Sequence, residues 1–178
     1  MAHPSTLYRF RIDLADVDRN VFEKLDLRIA MHPSESLPYL LTRVLAYALN
    51  ATPELAFSPG GLSDPDAPAI FEKDPGGGER IWIEIGNPSA RKLHRAAKSS
   101  RNVKVYTYKD PELLVRDMES NSVYNKERIE IYSFQDRFLA LLGNILERDN
   151  HWNILRSDSS VTVSSGDFSE SIEIQRHR

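Results

Sequence analysis

The 178-residue sequence predicts an α+β fold, a single domain over residues 1–178 built on a mixed β-sheet. Three patterns carry that expectation. Both ends of the chain alternate apolar and polar residues at the period of a strand. The stretch between them holds apolar stripes at helical spacing. Pro, Gly and Asn clusters separate the segments at short intervals, leaving no room for a linker.

The first segment sets Tyr8, Phe10, Ile12 and Leu14 on one strand face, with Arg9, Arg11 and Asp13 on the other. Asp16-Val17-Asp18-Arg19-Asn20 reads as a turn. Leu25, Leu27, Ile29 and Met31 then alternate with polar neighbours, so the two runs predict an antiparallel hairpin. Ser34 or Ser36 can cap a helix, with Pro38 tolerated in its first turn. That helix carries Leu37, Leu40, Leu41, Val44, Leu45 and Ala48 as one stripe. Short strands are expected at 54–57 and 68–72. The clearest strand is 80–85, with Ile81, Ile83 and Ile85 on one face and Trp82 and Glu84 on the other. Pro88 can open a helix to about Lys98, followed by a strand at 103–108 and a helix at 111–118. A strand at 127–132, a helix at 134–146 and three strands near 152–155, 161–163 and 171–174 complete the chain.

Composition narrows the chemistry. Apolar residues make up 40% and charged residues 28%, the balance of a globular domain with a core of its own. The absence of cysteine excludes disulfides, zinc–thiolate sites and thiol catalysis. It also suits a reducing compartment, so the expected location is cytoplasmic. Met1-Ala2-His3-Pro4-Ser5 lacks the apolar run of a secretory leader, and no apolar run approaches the ~20 residues of a membrane helix. With a net charge of −3, any contact with nucleic acid must use a local basic patch. The glycine run Gly76-Gly77-Gly78 is not followed by the Lys-Ser/Thr of a phosphate loop. A dinucleotide fingerprint and a nucleophile elbow are also missing.

From residue 35 to 108 the expected order is helix, strand, strand, strand, helix, strand. That order resembles the core of the PD-(D/E)XK nucleases, the restriction-endonuclease-like fold, here with an N-terminal hairpin and a C-terminal strand–helix–strand elaboration. In that superfamily an Asp before the middle strand and a Glu in the third bind Mg²⁺ or Mn²⁺, and a Lys two residues beyond the Glu orients or activates water. Pro65-Asp66 and Glu84 stand at the acidic positions. The residue types suit the chemistry, because a hard divalent cation prefers oxygen ligands, stabilises phosphoryl charge and acidifies its water. Residue 86, however, is Gly rather than Lys. In some superfamily members the basic residue moves to the following helix. Lys92 is the preferred replacement and Arg91 the second, since an Arg stabilises charge but is a poor base.

A closer resemblance covers nearly the whole chain. His32-Pro33-Ser34-Glu35 after a strand, Gly61-Leu62-Ser63 leading to Asp66 and Pro68, Trp82 through Pro88 with Arg91 behind it, and Val105-Tyr106-Thr107-Tyr108 together resemble the YaeQ family. The resemblance implies the nuclease-like fold with a varied motif. It also implies a candidate Mg²⁺- or Mn²⁺-dependent phosphodiesterase acting on DNA or RNA. The alternatives are a silent nucleic-acid-binding relative and a protein–protein adaptor.

Each candidate has a structural reading beside the functional one. Glu84 is the leading metal ligand and catalytic acid, unless its strand lies at a sheet edge where that face meets water. Asp66 is the second ligand and competes with Asp64 as a turn residue. Glu35 is a third possible ligand, or an acid favoured by the dipole of its helix N-terminus. His32 reads as a metal ligand or proton shuttle, or as a packed or hydrogen-bonded loop residue, and Arg43 as the partner of a site carboxylate or as part of a solvated helix face. Arg91, Lys92, Arg95, Lys98, Arg101, Lys104 and Lys109 form an acid-free basic stretch, either a phosphate-backbone contact or a solvated helix and strand. Helical spacing groups Arg91, Arg95 and Lys98 and leaves Lys92 at the margin, where a migrated catalytic residue would lie.

Overall fold

A computed structural model describes residues 4–178. Most of the expected leader-free N-terminal pentapeptide therefore lies outside the described residues. The described residues form eleven strands and four α-helices. They gather into two compact units, one of residues 4–41 and 136–174, the other of 42–135 and 175–178. None of these helices is long and apolar enough to cross a membrane.

The first unit holds the expected hairpin, β1 (Thr6–Asp16) and β2 (Val21–Met31), antiparallel from Thr6↔Met31 to Asp16↔Val21. Its alternation is the predicted one: Phe10, Ile12 and Leu14 are buried while Arg9 and Arg11 pair with Asp26 and Asp149. The tail continues the same sheet with β8 (Asp149–Ser157), β9 (Ser160–Ser165) and β10 (Phe168–Glu173). β8 lies parallel to β1, giving the order β10-β9-β8-β1-β2. Trp152 of β8 meets Phe10 edge-on, centroids 5.1 Å apart. Helix α4 (Asp136–Asn144) adds buried Phe138, Leu139 and Leu142.

Helix α1 (Leu37–Asn50) begins in the first unit and ends in the second. Leu40, Leu41, Val44, Leu45 and Ala48 are buried as the stripe requires, but Leu37, in the first turn, is 40% exposed.

The second unit has its own six-stranded sheet, so the expected single sheet is in fact two. The order is β11-β7-β6-β5-β4-β3. Strands β3 (Ala56–Phe57), β4 (Ile70–Lys73) and β5 (Glu79–Ile85) run antiparallel, and β5, β6 (Val103–Thr107) and β7 (Ile129–Ser133) run parallel. β11 (Gln175–Arg176) closes the far edge against β7. The helices are α2 (Ala90–Ser99) and α3 (Pro111–Ser120). The helix–strand–strand–strand–helix–strand order predicted between 35 and 108 is the order observed.

Register assigns the two faces of this sheet. Trp82 stands beside Val103 and Glu84 beside Val105. Trp82, Val103, Val105, Ile129 and Ile131 pack with Leu93, Ala96, Leu114 and Met118, so α2 and α3 cover that face. The alternate residues, Ile83 beside Lys104 and Ile85 beside Tyr106, face the end of α1, where Asn50 bonds both Tyr106 and Lys104. Both faces of β5 are therefore covered.

Candidate functional site

β5 lies between β4 and β6, which removes the edge-strand reading of Glu84. Glu84 is 3% exposed and sits under α2. The indole Nε1–H of Trp82, two residues earlier on the same face, donates to Glu84 Oε1 at 2.7 Å. The ammonium of Lys92 reaches the other oxygen, Oε2, at 2.9 Å. Burial pushes the Glu84 carboxyl above the ordinary glutamate range, while Lys92 and then the Trp82 hydrogen bond pull it back.

Local structure aims Lys92. Ser89 caps α2, its hydroxyl accepting the backbone N–H of Lys92 at 3.2 Å. Leu93 is fully buried and Arg91 is exposed. Lys92 lies between them on the wheel, its side chain 22% exposed, so its stem runs along the helix margin down to Glu84. The structure thus brings together the acid and the cation that the sequence singled out.

Residue 86 cannot fill that place. Strand β5 ends at Ile85, and Gly86 turns the chain with φ +82° while its N–H donates to the Tyr106 carbonyl at 2.9 Å. Asn87 fixes the bend, accepting from Thr107 Oγ1 and donating to the Asp110 carbonyl. The two-residue spacing that would align residue 86 with Glu84 does not survive this turn.

Asp64 and Asp66 have different partners. Asp64 forms the turn, its Oδ1 accepting the N–H of Asp66 at 3.1 Å. Asp66 instead meets Arg95 of α2, Nη1 to Oδ1 at 2.5 Å. Arg95 holds the Asp66 carboxyl below the usual aspartate range, with weaker help from Arg91 and Lys92. The backbone links the two segments as well, the Ala69 N–H donating to the Ile83 carbonyl at 3.1 Å.

The remaining candidates are dispersed. Glu35 belongs to the first unit, buried at the approach to α1. Among the described residues, no three His, Asp or Glu side chains gather as a metal-binding group. His32 is exposed and bonds Ser34 within its own turn. Arg43 is buried, its guanidinium 5.8 Å from the Phe57 ring centroid. The basic stretch is divided by the sheet: Arg91, Arg95 and Lys98 are exposed on α2, whereas Lys104 turns to the opposite face and donates to Asn50 at 2.9 Å. Sequence reasoning missed Trp82 as the donor to Glu84 and Arg95 as the partner of Asp66. The first was detectable, because residues two apart on a strand share a face; the second depends on loop placement and was not.

A family model described as "YaeQ protein" matches residues 1–175. The chain belongs to the YaeQ family. A relative from Salmonella typhi, "Uncharacterized protein YaeQ", is 28% identical over 98% of this chain and 96% of its own. The protein of the same description from Escherichia coli K12 is 34% identical over 61% of this chain and 59% of its own. Two solved YaeQ structures share the fold. The one from Pseudomonas syringae has a TM-score of 0.89 at 30% identity, covering 99% of this chain and 98% of that one. The one from Xanthomonas axonopodis pv. citri has a TM-score of 0.89 at 25% identity, covering 98% of each. The YaeQ fold in this chain is therefore an α+β fold with two mixed sheets and four α-helices among the described residues.

Proposed function

We propose that this YaeQ-family chain is a metal-dependent phosphodiesterase of the PD-(D/E)XK nuclease type, acting on DNA or RNA. The observation that carries the reading is the contact of Lys92 with Glu84 at 2.9 Å. It supports a migrated lysine, since Lys92 comes from the helix after the third strand and reaches the acid that residue 86 cannot accompany.

The donor set suits Mg²⁺ or Mn²⁺, because Asp66 and Glu84 offer hard oxygens and one or two carboxylates with waters suffice for such an ion. Asp66 and Glu84 would hold it, and when bound it would stabilise phosphoryl charge and lower the pKa of water. The residues of the chain supply the rest. Trp82 fixes the Glu84 carboxylate in one orientation. Lys92 holds a positive charge beside it and presents an ammonium to the phosphate. Arg91 and Arg95, exposed on the same helix, meet the substrate backbone.

A second reading, nucleic-acid binding without turnover, draws support from a different observation: both carboxylates already carry a cationic partner. One experiment separates the two. The protein is incubated with Mg²⁺ or Mn²⁺ and with single- and double-stranded DNA and RNA, beside Glu84→Gln, Lys92→Met and Asp66→Asn. The nuclease reading expects cleavage by the parent protein and a loss on the order of a hundredfold or more in each variant. Cleavage that survives Glu84→Gln would overturn it. Binding without cleavage by the parent protein would leave the second reading standing.

A further inference from the structure

The end of the second unit's sheet opposite Glu84 carries a groove of about 1010 Å³. Its walls are the β4–β5 turn, the C-terminal end of α2 and the segment before β7. The turn is pressed against the helix, since a Cβ on Gly78 would stand 3.1 Å from the Ser99 carbonyl oxygen, and its φ is +84°. This wall is fixed by backbone packing.

The chemistry of the lining is cationic. Lys98, Arg101 and Arg128 all line the groove, are exposed and make no ion pair with a described carboxylate. The two acids in the wall, Asp74 and Glu79, are outnumbered, and Asp74 already accepts the Gly76 N–H at 2.8 Å. Tyr124, 48% exposed, lies among these cations. A helix C-terminus alone explains one lysine, through the favourable interaction of Lys98 with the helix dipole. It does not explain Arg128, which comes from the segment before β7 and lines the same cavity as Lys98, Arg101 and an exposed aromatic ring.

We propose that this groove binds single-stranded nucleic acid, with Lys98, Arg101 and Arg128 on the phosphodiester backbone and Tyr124 stacked on a base. Cations that track phosphates beside an aromatic platform are the recurring means of holding a single strand without reading its sequence. Geometry joins the groove to the acidic site. β5 enters the groove wall at Glu79 and carries Glu84 about 15 Å farther along. Arg91, Arg95 and Lys98 lie at helical spacing on the exposed face of α2 between the two, with Arg95 paired to Asp66. The groove is thus an anchoring subsite for the strand whose phosphodiester reaches Glu84 and Lys92. In that role it rests on the proposed nuclease reading, although binding itself does not.

The test measures fluorescence anisotropy of a labelled 12-nucleotide single strand and of the matching duplex across a salt series, with EDTA present to suppress cleavage. The triple variant Lys98→Ala/Arg101→Ala/Arg128→Ala is expected to weaken single-strand binding at least tenfold and to flatten the salt slope by roughly 2, about 0.7 for each phosphate no longer neutralised. Tyr124→Ala is expected to cost the single strand roughly tenfold and the duplex far less. Each single variant, with its melting curve, guards against unfolding of the triple one. Parent protein that binds the single strand in this assay but cleaves nothing in the presence of Mg²⁺ or Mn²⁺ overturns only the nuclease reading. Parent protein that does not bind the single strand overturns the groove proposal. So does affinity unchanged in the triple variant, or a Tyr124→Ala effect equal on strand and duplex.

Discussion

Glu84 and Lys92 set the energetics of the site at the residue scale. A carboxylate 3% exposed beneath a helix is costly unless donors satisfy it, and here one oxygen has Trp82 and the other Lys92. Lys92→Met removes one donor and leaves the rest of the packing. Two effects limit the loss: the Trp82 hydrogen bond remains, and Glu84 can take up a proton. The expected destabilisation is therefore about 1–3 kcal/mol, the cost of one unsatisfied buried group, rather than the larger penalty of a stranded ion. Adding Glu84→Gln should recover part of it, a coupling that chemical denaturation of the four proteins measures. The raised Glu84 carboxyl has a pH signature of definite sign. The folded state holds this proton more tightly than the unfolded chain does, so the group's contribution to stability is full below the ordinary glutamate value and is lost as pH rises through the folded value. The stability of the parent protein relative to Glu84→Gln should fall as pH rises above the ordinary glutamate range; a rise with pH there would contradict the burial argument. Glu84 was legible in the sequence because isoleucines flank it in an otherwise apolar strand, and Lys92 because helical spacing set it off from Arg91 and Arg95. The Asp66–Arg95 contact was not, since it joins an irregular loop to a helix and no local pattern encodes that approach.

Helix α2 translates sequence into site geometry at the scale of the element. Ala90, Leu93, Ala96 and Ala97 form its buried stripe. The small alanines allow close approach to the sheet, which lets the Lys92 stem reach β5. The stripe also fixes which residues face outward, so the separation of Lys92 from Arg91 and Arg95 was readable from periodicity. The split of the basic stretch was not. Lys104 follows the helix in the chain, but its place opposite α2 depends on pairing with Ile83, and pairing register is a tertiary property. The cap is the simplest handle on the element. Ser89→Ala removes the bond to the Lys92 N–H and should cost about 1 kcal/mol, measured as a shift in the denaturation midpoint. Fraying of the first turn should also loosen Lys92 and lower any metal-dependent cleavage, with little effect on Tyr124-dependent binding at the other end of the helix. Equal loss of both would mean that α2 unfolds as a whole.

At the scale of the whole molecule, strand periodicity gave the strands but not their sheets. The tail strands alternate as predicted, yet whether they extend the core sheet or form a second one is decided by the parallel pairing of β8 with β1, which sets Arg9 beside Asp149, 140 residues on in the chain. β11 was invisible because two residues carry no period. It nevertheless covers the open edge of β7, and Arg178 pairs with Glu119 of α3. Deleting residues 175–178 should expose that edge, lower the melting temperature and raise the tendency to associate, which light scattering during a thermal scan would detect. The net charge of −3 and the basic groove are compatible, because attraction to phosphate depends on where the cations stand rather than on their sum.

The pairing of an acidic loop residue with a buried acidic strand residue around one divalent ion is the claim on which the proposed activity rests. Mn²⁺ binding, followed by the loss of its free-ion paramagnetic resonance signal, tests it most directly. The account predicts one site in the parent protein, weakened at least tenfold by Asp66→Asn and again by Glu84→Gln, and unaffected by Lys98→Ala. Binding that is absent from the parent protein, or that persists unchanged in both acidic variants, would contradict it.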